Sequence, residues 1–172
     1  MGILDSYTPG PGFCEVFDGA TARTHYEPLL DRLRELTPDD MEDRARLTDA
    51  TLRNLGITFA VYGGDEGTER TWPIDLLPRI IPALEWGMVE AGLIQRTKAL
   101  NTFLDDLYVG ERGAIRDGII PKWVVLSSDG FKRAAFGINV AAQARCVVAG
   151  IDIVRDEYGV YRVLEDNLRV PS

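Results

Sequence analysis

The sequence predicts an α/β (α+β) fold: a mixed β-sheet with flanking helices, ending in an antiparallel hairpin. Three observations predict it. Apolar residues recur at helical spacing in several segments between Tyr26 and Leu107. The run ITFAVY (57–62) is rich in β-branched and aromatic residues and enters the turn-like GGDEG. Two further β-rich runs, 146–154 and 160–170, flank the turn signal Arg155-Asp156-Glu157-Tyr158-Gly159. With 172 residues, 45% of them hydrophobic and 27% charged, the chain is long enough to bury a core. It reads as a single domain, with an irregular arm at 1–24, a helix-rich part at 25–145 and an acidic β-hairpin at 146–172.

In chain order, the arm is rich in Gly, Pro, Thr and Asp, residues that break regular structure. Tyr26, Leu29, Leu30, Leu33 and Leu36 then mark a short amphipathic helix. Thr37-Pro38 supplies an N-cap and a first-turn proline for a second helix, which runs to Leu55 and stops at Gly56. A strand over 57–62 follows. Its GGDEG turn has glycines that could cradle a phosphate, but it fits neither GxGxxG nor the P-loop, and its acids repel an anion.

A helix is expected from Leu77, with Pro78 in its first turn and Pro82 kinking or interrupting it before LEWGMVEAG. Leu93, Thr97, Leu100, Leu104 and Leu107 mark another helix with a core-facing stripe. On it, Gln95, Arg96 and Asn101 read either as solvated polar groups or as ligand contacts. Residues 123–126 read as a short strand and 130–137 as a loop.

Composition narrows the function. A net charge of −8 lacks the clustered Lys and Arg that attract nucleic acid, so a phosphate ligand would need a cation as mediator. No apolar run approaches the roughly 20 residues that span a bilayer. The first residues show no secretory pattern, so a cytoplasmic location is the default. Gly2 followed by Ser6 matches a myristoylation pattern only superficially. Cys14 and Cys146 are expected to be reduced, structural thiols. The lone His25 excludes a multi-histidine metal site and reads as a helix-entry residue.

The chemistry concentrates in the final hairpin. Strand alternation puts Glu165 and Asn167 on one face and Asp166 on the other. If Arg155 pairs with Val160 around a four-residue loop, Asp152 lies opposite Val163 and joins Glu165 and Asn167. The two carboxylates would then be diagonal neighbours roughly 7 Å apart at the backbone. Two carboxylates and an amide carbonyl suit Mg²⁺ or Mn²⁺, with waters and phosphates completing the shell. A one-residue slip would turn Asp152 away. The competing reading is a solvent-facing hairpin whose acids keep an exposed edge soluble, although Val163, Leu164, Leu168 and Val170 leave it little polar face.

GIDIVRDEYGVYRVLEDN resembles the metal-binding hairpin of the ATP-grasp superfamily. In order, GITFAVYGG, PIDLLPRIIPALEW, LIQRTKALNTFLDDLY, GIIPKWVV, AGIDIVRD and VLEDNLRVPS resemble the circularly permuted ATP-grasp family, relatives of the glutathionylspermidine synthetase ATP-grasp domain. The resemblance covers about Tyr26 to Ser172. Ala60 departs from it, standing where the family pattern carries a polar residue. The resemblance implies a partial ATP-grasp fold and an ATP-dependent ligase that joins a carboxylate to an amine through an acyl phosphate.

It further implies that Asp152 and Glu165 ligate Mg²⁺, with Glu165 bridging two ions, and that Asn167 is the third ligand. Strand alternation, rather than the resemblance, makes Arg169 a candidate for stabilising the acyl phosphate, since it lies two residues past Asn167 and so on the same face, with a surface salt bridge as its alternative; Pro171-Ser172 would begin a substrate loop. Family members are longer, so the chain is expected to be their N-terminal part, inactive without the nucleotide-clamping C-terminal half. The other class of reading is a non-catalytic binding or assembly module on the same scaffold, which would expose an apolar face.

Overall fold

In the computed structural model, residues 3–4, 7–60 and 69–169 are described. GGDEG, the Gly2/Ser6 pair and Pro171-Ser172 lie outside them. Backbone proximity divides the chain into two units, Met1–Pro82 and Ala83–Ser172, each considered by itself.

The first unit opens with a two-residue hairpin, β1 (Phe17–Asp18) against β2 (Thr21–Ala22), turned at Gly19 with φ +59°. The arm expected to be irregular therefore contains one ordered turn. Helix α1 spans Glu27–Arg34 and buries Leu30 and Leu33. His25 sits in the 3₁₀ turn just before it, 5.0 Å from the Tyr26 ring. Tyr26, Leu30 and Leu33 form the core, against which Ile3, Phe17, Met41 and Ile80 pack. The buried Tyr26 hydroxyl accepts the Ile80 N–H at 2.9 Å, which ties the proline-rich 73–82 stretch to the core.

Helix α2, Pro38–Asn54, begins as its sequence dictates. Thr37 Oγ1 accepts the Asp40 N–H at 3.2 Å and Asp40 accepts the Thr37 N–H at 2.8 Å, a complete capping box ahead of Pro38. At the far end Gly56 takes φ +69°, the left-handed conformation that favours glycine. Thr37→Ala should lower thermal stability by about 1 kcal/mol; an unchanged melting curve would show that the cap is dispensable. Strands β3 (Thr58–Ala60) and β4 (Glu69–Thr71) pair antiparallel, Thr58 opposite Thr71. Ala60 lies opposite Glu69.

Two expectations for the middle of the chain are corrected. No helix starts at Leu77: residues 77–82 are non-helical, and one helix, α3, runs unbroken over Ala83–Tyr108. Leu77 and Ile81 each precede a proline, which disfavours α geometry there, and Pro82 precedes the helix rather than kinking it. The expected strand at 123–126 is the helix α5, Lys122–Leu126. A short apolar run cannot separate the two states by pattern; burial of Val125 against Leu107 and Tyr108 does so here.

In the second unit, Asp106 caps helix α4 (Gly113–Arg116) by accepting the N–H groups of Arg112 at 3.0 Å and Gly113 at 2.7 Å. Arg145, 8% exposed at its side chain, pairs with Asp105, donates to the Ile138 carbonyl and lies over the Tyr108 ring. Asn101 accepts the Cys146 N–H at 2.8 Å and donates to its carbonyl at 3.3 Å, so this amide holds backbone in place of a neighbouring strand. Cys14 and Cys146 are free thiols. The mixed sheet is also corrected: the described strands form three separate two-stranded antiparallel sheets.

Candidate metal centre on the terminal hairpin

Strands β5 (Gly150–Arg155) and β6 (Tyr161–Asn167) pair antiparallel, but not in the expected register. Arg155 lies opposite Tyr161, not Val160, so the loop is one residue longer. Regular pairing continues through Val154 with Arg162 and Ile153 with Val163, and then a bulge intervenes. Asp152 lies opposite Glu165, leaving Leu164 as the extra residue, and Gly150 lies opposite Asn167.

The longer loop and the bulge compensate. Had the ladder run on without the bulge, Asp152 would have met Leu164, and Glu165 and Asn167 would have turned to the Ile151 face. With it, Asp152, Glu165 and Asn167 share one face. The two carboxylate residues are directly opposed rather than diagonal. Asn167 Nδ2 donates to Glu165 Oε1 at 2.9 Å, which leaves the amide carbonyl as a further oxygen donor. Asp152 and Glu165 are exposed, Asn167 beside them is half-buried, and Ile151, Ile153, Tyr161, Val163 and Asp166 on the other face are half-buried.

The loop is closed by one carboxylate. Asp156 Oδ1 accepts the N–H groups of Tyr158 at 3.0 Å and Val160 at 2.8 Å, while Oδ2 accepts Arg162 Nε at 2.9 Å. The Val160 amide above all, then Arg162, holds the Asp156 carboxyl below the usual carboxylate range. Its folded pKa is thus below the unfolded value of about 3.9, so the turn contribution is full above that pH and is lost as pH falls through the folded value. The amide protection factors of Tyr158 and Val160, taken against the intrinsic exchange rate at each pH, should fall on acidification below about pH 4, with no such pH step in Asp156→Asn. A step that survives in the Asn variant would assign the effect elsewhere.

Two ion pairs fasten the half-buried face to α3. Arg96 grips Asp166 with both donors, Nε to Oδ1 at 2.8 Å and Nη2 to Oδ2 at 2.6 Å. Hydrogen bonding from Arg96 is the main reason the Asp166 carboxyl titrates below its ordinary range. At the loop end, Arg155 pairs with Glu85, bonds the Tyr161 hydroxyl and lies over the Tyr161 ring. Sequence reasoning missed both anchors. The signal present was Asp166 itself, a carboxylate on the packed face of a strand, which requires a cationic partner.

Arg169 lies two residues past the end of β6 and is exposed, so strand alternation no longer relates it to the carboxylates. With Leu168 it borders an apolar groove of about 810 Å³ that includes Tyr108, Val147 and Val148. Among the described residues no three His, Cys, Asp or Glu side chains cluster as a metal cage. A cation at the hairpin would rest on two carboxylates and one amide. That sparse, all-oxygen set fits a magnesium-type ion, which keeps several waters and shares its shell with phosphates.

Comparison with known proteins identifies the family of the chain. The family described as circularly permuted ATP-grasp type 2 matches residues 78–172. A Synechocystis sp. protein described as uncharacterized is 44% identical over 170 residues, covering 98% of this chain and 35% of its own length. An uncharacterized Mycobacterium leprae protein is 42% identical over 161 residues, covering 93% of the chain and 28% of its own length. A Frankia alni protein bearing the provisional name glutamate–cysteine ligase 2-3 is 42% identical over 171 residues, 99% of the chain and 19% of its own length. The chain thus spans about a third or less of the length of these curated relatives. The family match takes in more than half of the chain, including the whole hairpin, and the chain belongs to the circularly permuted ATP-grasp type 2 family.

Proposed function

We propose that this chain is the N-terminal, metal-binding portion of an ATP-dependent carboxylate–amine ligase that forms an amide bond through an acyl phosphate. The observation that carries the reading is the register of the terminal hairpin, which opposes Asp152 to Glu165 with Asn167 on the same face. These three would hold Mg²⁺ or Mn²⁺, which when bound neutralises charge on the phosphates of ATP. The Frankia alni relative's name, glutamate–cysteine ligase, is that of a much longer protein and agrees with amide-bond formation as the class of reaction.

Within this reading, Glu165 is the central ligand, placed between Asp152 across the ladder and Asn167 along the strand. Arg169 is assigned to the developing charge on the acyl phosphate on the basis of its charge and its proximity in sequence to the trio. By itself the chain is inactive, because it presents ligands to one side of the nucleotide only, and catalysis needs preorganised groups on both. Exposed apolar side chains in the second unit, including Ile119, Trp123, Val147 and Val148, are the sign expected of a binding or assembly module and agree equally with a ligase portion covered by further polypeptide.

Calorimetry with ATP in the presence and absence of Mg²⁺ tests the reading, on this chain and on a version extended past Ser172. Binding that is Mg²⁺-dependent and gained only in the longer version is expected. ATP turnover by the 172-residue chain, abolished by Asp152→Ala, would contradict its inactivity.

A further inference from the structure

We infer that Arg96 and Asp166 are positioning residues for the metal ligands, an inference that rests on the metal reading of the hairpin. Asp166 is the residue between Glu165 and Asn167, and its side chain points the opposite way. Whatever fixes Asp166 therefore fixes the backbone from which both ligands project. Arg96 fixes it with two parallel charge-assisted bonds, a fork geometry that sets orientation as well as distance.

The hairpin needs such an anchor. A two-stranded hairpin is marginally stable by itself. Its inner face is not closed onto α3 by a continuous core, because a groove of about 740 Å³, which includes Trp86, Leu93, Ile94, Thr97 and Ile151, lies there. The attachments at its two ends are ionic, Arg155 with Glu85 and Asp166 with Arg96. Their spacings on the two elements differ by only about 3 Å. Glu85 and Arg96 are three helical turns apart, about 16 Å at roughly 1.5 Å per residue. Arg155 and Ile151, the latter opposite Asp166, are separated by about 13 Å of strand at roughly 3.3 Å per residue. The hairpin is thus pinned along the helix with Asp152, Glu165 and Asn167 turned outward.

The expected effect is on position more than on stability. Arg96 is 43% exposed and Asp166 17%, so the pair adds little to the folding free energy. Metal sites, in contrast, are sensitive to ångström-scale looseness of their supporting shell. In the protein at its natural length, titrated with Mn²⁺ in the presence of ATP and followed by electron paramagnetic resonance, Arg96→Ala should weaken Mn²⁺ affinity about 10–100-fold. The melting temperature should stay nearly unchanged. Asp166→Asn, which keeps the shape and loses the charge, should weaken it in the same direction. Arg96→Lys should restore only part, for want of the fork, and the exchange Arg96→Asp with Asp166→Arg should restore more than either single change.

Asp152→Ala separates the two ideas. Loss of Mn²⁺ binding in Asp152→Ala with wild-type affinity in Arg96→Ala and Asp166→Asn would overturn the positioning role alone. Wild-type affinity in Asp152→Ala would overturn the metal reading and the positioning role with it. Should Arg96→Ala unfold the protein, Asp166→Asn decides, and an unchanged affinity there counts against the proposal.

Discussion

Asp152→Ala should abolish divalent-cation binding at the hairpin and, in a protein that carries both halves of the nucleotide site, the ATP-dependent reaction as well. Of the hairpin's described residues, two carboxylates stand on the ligand face, directly opposed across the ladder. Removing one leaves a single carboxylate and an amide, fewer charges than a magnesium-type ion bound beside phosphates requires. The loss should exceed the roughly 10–100-fold that follows removal of an outer partner of a metal ligand. Glu165→Gln should be at least as severe, since it removes a charge and alters the acceptor of the Asn167 amide at 2.9 Å. Both positions are exposed at the surface, so neither change should alter folding. Metal affinity measured with the melting curve checks both halves of the statement, and a folded Asp152→Ala protein that retains Mn²⁺ affinity would remove the hairpin from consideration as a metal centre.

Leu30→Ala should produce the largest loss of stability in the first unit, about 2–5 kcal/mol, the range for truncating a buried leucine to alanine. Leu30 is 1% exposed and sits among Tyr26, Leu33 and their half-buried neighbours, so the deleted volume has no solvent to fill it. A destabilisation of that size corresponds to a fall in Tm on the order of 10 °C or more for a unit of this length. Leu47, by contrast, lies on α2 with 68% of its surface exposed, and Leu47→Ala should shift stability by less than about 0.5 kcal/mol. Equal melting curves for the two variants would mean that the Tyr26–Leu30–Leu33 cluster is not the core of this unit.

Some of the molecule was legible residue by residue. The start of α2 is written in Thr37-Pro38 and the carboxylate at Asp40, because a cap is decided within one helical turn and needs no distant partner. The two strands of the terminal hairpin, and the side on which Glu165 and Asn167 stand relative to Asp166, likewise follow from strand alternation. The convergence of Asp152 with Glu165 and Asn167 was anticipated, but through a register that the structure replaces. Loop length and bulge each shift the ladder by one residue, and the shifts cancel in parity. Neither is decided by the local pattern alone: the loop closes on the hydrogen bonds of Asp156, and the bulge puts Leu164 out of the ladder.

Elsewhere tertiary context overrode the pattern. The apolar run at 123–126 suits strand or helix equally, and burial of Val125 beside Leu107 and Tyr108 decides for α5. Arg96 and Asn101 looked like helix polar groups open to solvent or ligand, yet one grips Asp166 across 70 positions and the other holds the Cys146 backbone across 45. By itself the sequence determined the capped helix, the hairpin and the oxygen-donor chemistry of its acids, because each depends on neighbours within a turn or a ladder step. Only the tertiary structure decided that the acids stand in direct opposition and that an arginine on α3 locks the residue between two of them, because register and ion pairing over long separations depend on which surfaces the folded chain brings together.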